Sequence, residues 1–164
     1  MFGIAIINRT FVLPIYPLSA MIPDIEFIQK SFDRFNALCF EGALPPVALK
    51  LSRARTFIGK LTYTGKRDLF GNVVPQEDFC IRINTCYDLP ENELEDVIIH
   101  EMIHYYIIRN HIHDTSAHGK VFRRIMKTIN SKYARNISVS YRIKTKPAPL
   151  FHVELLPTKI HKQN

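Results

Sequence analysis

His100, Glu101 and His104 fall in the run Val97-Ile98-Ile99-His100-Glu101-Met102-Ile103-His104, an H-E-x-x-H pattern. Imidazole nitrogens are good zinc ligands, and a carboxylate beside bound water can act as a general base. On a helix, positions i and i+4 are neighbours on one face. His100 and His104 can therefore aim at one metal ion, while Glu101 reaches the rim of the same face. Chance explains this poorly: 7 His and 8 Glu scattered through 164 residues give about 0.014 such patterns. The flanks are apolar nearly all round, from Val97 to Ile99 and from Met102 through Tyr105, Tyr106 and Ile108. Such a helix is buried, and buried polar groups need partners, which a metal supplies.

A catalytic zinc takes three protein ligands and keeps one position open. A thermolysin-like site needs a downstream Glu, and none lies between Glu101 and Glu154. The metzincin spacing fails as well, because Ile107 and Asn110 stand where Gly and His belong. His111, His113, Asp114 and His118 are left. His111 and His113 follow too closely on the helix to swing back, whereas His118 comes after a loop long enough to reverse direction. Asp114 suits a capping role, or a partner to a ligand.

The elements that must position these residues can be read from periodicity. Ile25, Ile28, Phe32, Phe35 and Cys39 recur at helical spacing and predict a helix over about 24–40, ended by Gly42 and Pro45-Pro46. Alternation predicts strands at 47–52, 57–63 and 79–84, joined as a mostly antiparallel meander with a long polar loop at 64–78. Pro90, Glu91 and Glu93 open the helix that runs to Arg109. A further helix has Phe122, Ile125, Met126 and Ile129 on one face and Lys120, Arg123, Arg124 and Lys127 on the other. Ile137, Val139, Tyr141 and Ile143 alternate with polar residues and predict a late strand.

Composition bounds the reading. A chain of 164 residues, 46% hydrophobic and 23% charged, suits one globular domain with a real core. No apolar run approaches the ~20 residues that span a bilayer. Cys39, Cys80 and Cys86 are odd in number and lack C-x-x-C spacing, which fits small buried residues in a reducing compartment such as the cytoplasm. The apolar N-terminus lacks a basic start and is broken by Asn8-Arg9 and Pro14, unlike a secretory signal. The net charge of +7 is segregated: Asp88 to Glu101 holds six acids and no Lys or Arg, and Met102 to Asn164 holds twelve Lys or Arg. A basic half beside a catalytic helix suggests a polyanion, nucleic acid first, although a solvated basic surface would look the same.

His100-Glu101-Met102-Ile103-His104, followed by a polar loop and His118-Gly119-x-x-Phe122, resembles the SprT-like metalloprotease family. Phe32-x-x-Phe35-Asn36, Gly42-x-Leu44 and Ile137-x-Val139 extend the resemblance over roughly Ile25 to Ile143. The resemblance implies an α+β, zincin-like minimal metalloprotease domain: a small, mostly antiparallel sheet on about three helices, with the active-site helix buried. It implies one zinc ion on His100, His104 and His118, with Glu101 as catalytic base. It also implies proteolysis of proteins bound or crosslinked to DNA. No cysteine follows Cys86, so the C-terminal zinc ribbon of many bacterial relatives is missing. The expected organisation is an extension at 1–20, the metalloprotease domain at 21–145 and a basic tail at 146–164.

DNA would then be held without sequence specificity by Lys120, Arg123, Arg124 and Lys127, with Lys132, Arg135, Arg142, Lys144 and Lys146 extending the patch. The strand at Phe79–Asn84 could pair with an extended protein substrate. His111, His113, Tyr105 and Tyr106 are candidates for stabilising the oxyanion. No membrane partner is expected. The rival reading is a zinc-bearing, transcription-associated regulatory protein that cleaves nothing; a zinc hydrolase of small substrates is a third.

Overall fold

The computed structural model describes residues 22–141, except 68, 70–72 and 76–77. The expected N-terminal extension and basic tail, with Arg142, Lys144 and Lys146, lie outside the described residues. Three helices and a small mixed sheet make an α+β fold. Helix α1 (Ile25–Phe40) starts where Asp24 accepts the Phe27 N–H at 2.7 Å. It buries Ile28, Phe32 and Phe35, while Ile25 stays 43% exposed. Its end is a left-handed turn at Glu41 and Gly42 (φ 56° and 73°). The Asn36 amide then grips the backbone of Leu44, donating to its carbonyl at 2.9 Å and accepting its N–H at 3.1 Å.

Strands β1 (Ala48–Ser52), β2 (Gly59–Thr62) and β5 (Cys80–Asn84) form one sheet. The expected meander order is corrected: β5 lies between β1 and β2, parallel to the first and antiparallel to the second. Burial explains the order. Ile81 and Ile83 are fully buried toward the helices, and Cys80 and Asn84 are buried too, so this strand takes the centre. Asn84 also ties the β1–β2 connection around the strand end, donating to Phe57 O at 2.8 Å and to Ala54 O. The segment expected as a plain loop forms a second ladder, with β3 (Gly65–Arg67) antiparallel to β4 (Val73–Pro75). Two of the three strand pairings are thus antiparallel.

Helix α2 (Glu91–Arg109) runs through the middle, buried from Leu94 to Ile103, and packs against β2, α1 and helix α3 (Lys120–Tyr133). The late strand is absent over 137–141, and Ile143 lies outside the described residues. Side chains, not a neighbouring strand, take up its backbone groups. Asn130 exchanges two 2.9 Å hydrogen bonds with Ile137, and Asp96 accepts the Asn136 N–H at 3.2 Å. Among the described residues no helix is long and apolar enough to cross a membrane.

Candidate metal centre

The pattern-bearing face of α2 meets the loop that leads into α3. His100, His104 and His118 bring their Nε2 atoms to 3.1 Å from one another on all three sides. The expected ligands therefore converge, and they are the metal-competent cluster among the described residues. His111 and His113 do not join it; both are exposed, just past the end of α2. The chain reverses there through His111, whose φ is 52°.

Three nitrogens in such a triangle cannot satisfy one another. His100 Nδ1 lies 2.8 Å from the Ser138 carbonyl, which only accepts, so Nδ1 carries the proton and Nε2 presents a lone pair. Burial, ahead of the neighbouring charges, pushes the pKa of His100 down to about 4 and that of His104 to about 3. Burial and then Arg123 lower that of His118. All three rings are thus neutral donors near pH 7. Tetrahedral zinc holds nitrogens at about 2.0–2.1 Å, which places them roughly 3.3 Å apart, so the triangle and its all-imidazole donor set fit such an ion.

The loop half of the site is built by a remote cap. Helix α3 begins at Gly119, which offers no side chain to cap it. Asp114 does so instead, accepting the Thr115 N–H at 2.8 Å and the Phe122 N–H at 2.9 Å. Desolvation pushes its carboxyl up, but the backbone N–H groups of Phe122, Thr115, Val121 and Lys120 outweigh it and leave the carboxyl below its ordinary value. A Cβ on Gly119 would lie 2.1 Å from Asp114 Oδ1, so only glycine lets the cap close. Arg123 Nε donates to the His118 carbonyl at 2.9 Å, which makes this expected DNA contact also an anchor for the ligand loop. Lys120, Arg124 and Lys127 are exposed, as expected.

Phe122, fully buried, places its ring 4.9, 4.7 and 4.7 Å from the rings of His100, His104 and His118. It is one apolar platform for all three imidazoles. On the helix side, Arg135 bonds Asp96 at 2.7 Å, Glu95 at 2.9 Å and the Asn92 carbonyl at 2.7 Å. This fixes the segment whose Ser138 carbonyl orients His100.

Glu101 is 5% exposed and lies against β2. A Cβ on Gly59 would come within 2.8 Å of Glu101 Oε1 and 2.6 Å of Val97 Cγ1. Burial raises the Glu101 carboxyl to about 7, against a backbone hydrogen bond from Leu61. The glutamate opens on a cleft of about 330 Å³ lined by the three histidines, Gly59, Lys60, Leu61 and Ala117. A larger cleft, about 570 Å³, lies elsewhere.

Two expectations for substrate contacts change. β5 is paired on both sides, so its backbone is not free for a substrate. Among the described residues β2 pairs only with β5, and this edge strand lines the metal cleft. None of the four expected oxyanion candidates lines that cleft: Tyr105 packs on Phe79 and Tyr106 on Phe40.

Sequence reasoning missed Gly59, Phe122 as a platform, and the Arg135–Asp96 anchor. A lone glycine in a strand pattern is a signal for close backbone approach, and it marks Gly59. The other two depend on contacts far apart in the chain.

Comparison with curated proteins finds no match. A family model, described as the SprT-like family, matches residues 28–145, which include the three clustered histidines, Glu101 and Ser138. The chain belongs to the SprT-like family.

Proposed function

We propose that the protein is a zinc-dependent metalloendopeptidase that cleaves proteins bound or crosslinked to DNA. The observation that carries the reading is the convergence of three neutral imidazole donors beside a buried glutamate and an open strand edge. One zinc on His100, His104 and His118 would supply Lewis acidity, polarising a carbonyl and acidifying water. Glu101 takes the proton from the attacking water and passes it to the leaving amine. Gly59 and Leu61 keep that carboxylate against β2. The free edge of β2 pairs with an extended peptide by main-chain hydrogen bonds and leaves side-chain choice loose. Lys120, Arg124 and Lys127, with Arg123 beside His118, attract the DNA that carries the substrate.

Zinc-loaded protein incubated with a DNA-bound protein substrate tests the reading. Glu101→Gln, which keeps shape and removes the base, lowers cleavage by about 10²–10⁴-fold while leaving zinc bound. Equal cleavage by Glu101→Gln and wild type would overturn the assignment.

A further inference from the structure

The sheet has a second face, turned away from α2. Leu49, Leu61, Ile81 and Ile83 join the helix-side core. The residues alternating with them point the other way. On that face Lys50 lies directly opposite Arg82, and Arg82 directly opposite Lys60. All three are exposed. Among the described residues none has a carboxylate at ion-pair distance. Like charges directly opposite across strands destabilise a sheet. Three in register therefore work against the fold unless an anion meets them.

The row has direction. Lys60 lines the metal cleft, while Arg82 and Lys50 line the larger cleft of about 570 Å³. That cleft also takes in Thr62, whose hydroxyl donates to the Cys80 carbonyl at 3.2 Å. Asp78, also in its lining, is engaged by Thr64 at 3.0 Å. Strands stand about 4.8 Å apart, so the row covers roughly 10 Å. Three cations in one row can each meet a phosphate of a strand laid across them. A row of cations that tracks the backbone is the electrostatic part of a single-strand site.

We propose that the outer face of the sheet is a docking track for one strand of nucleic acid, with phosphates on Lys50, Arg82 and Lys60. The track rests on the reading above that substrates are DNA-bound. It adds a second surface for the DNA to the cations of α3, and it runs from the metal cleft outward, so a protein attached to the strand is delivered to the edge of β2.

The test is fluorescence anisotropy of a labelled 20-nucleotide oligo-dT with the full zinc-loaded chain over a salt series. The expected result for Lys50→Glu/Arg82→Glu is at least a tenfold loss of affinity at low salt and a salt slope shallower by about 1.4, from ~0.7 per lost phosphate contact. Lys50→Gln/Arg82→Gln should weaken binding less and melt no lower than wild type, because the cross-strand repulsion is gone. Oligonucleotide binding unchanged by either double variant overturns the track. So does tighter binding of polyglutamate than of the oligonucleotide, which would assign the face to an acidic protein. Cleavage of a DNA-free peptide separates the two readings. If wild type cleaves nothing yet charge reversal abolishes oligonucleotide binding, the track stands without the peptidase. If cleavage is normal and binding ignores the reversal, only the track falls.

Discussion

His100 and His104 on one side and His118 on the other reach the same point by different physics. The first two ride on a helix whose burial is almost complete, so their spacing follows from backbone geometry and the core holds them. His118 arrives on irregular chain, held by the Asp114 cap, the bare Cα of Gly119 and the Arg123 bond to its carbonyl. Phe122 lies beneath both halves. A ligand on a buried helix is placed by the whole fold, whereas a ligand on a loop is placed by a few polar contacts that can be removed one at a time.

The comparison can be broken outright at Phe122. Phe122→Ala empties a fully buried site and should cost about 3–5 kcal/mol of stability. Both halves should lose register, so zinc affinity falls further than in any loop variant; thermal melts and chelator competition read the two effects. Gly119→Ala sharpens the comparison, because it acts on the loop half alone. Its Cβ displaces the Asp114 cap, and we expect a 10–100-fold loss of zinc affinity with the helical circular dichroism of the apo-protein almost unchanged. A matching loss of helix signal would show that the halves are not separable.

Arg135→Lys probes the helix half. It keeps the charge and loses the forked contact to Asp96 and Glu95. Ser138 then holds His100 less firmly, and zinc affinity should fall by about tenfold or less, with the backbone N–H exchange of Ile137 rising. The smallest effect concerns acid. The Asp114 carboxyl lies below its ordinary value of 3.8 when folded. Its contribution is therefore complete above that value and is lost as pH falls through the lower folded one. Asp114→Asn should match the wild-type slope of stability against pH between 5 and 8 and differ only below about pH 4.

The same contrast explains what could be read from sequence. The 90–109 helix, its ligand pair and the glutamate follow from spacing within one element. His118 followed from eliminating other positions. Strand order did not follow, because alternation says which face a residue takes but not which strand lies beside it; Ile81 and Ile83 became central through burial against helices far away in sequence. The late strand misled for a related reason. Ile137 and Val139 do face the core side, yet the backbone between them serves Asn130 and His100. Gly59 looked like an ordinary strand residue until α2 was seen pressed against it.

Helices α1 and α3 end in the same device. After each, a left-handed residue, Glu41 or Ala134, turns the chain, and an asparagine one turn earlier reads main chain ahead of it, Asn36 at Leu44 and Asn130 at Ile137. Each clamp contacts only backbone at its far end. The residues between are thus relieved of specifying where the chain goes next, and these two corners can accept sequence drift while the strand that follows one and the carbonyl that backs His100 after the other stay where they are.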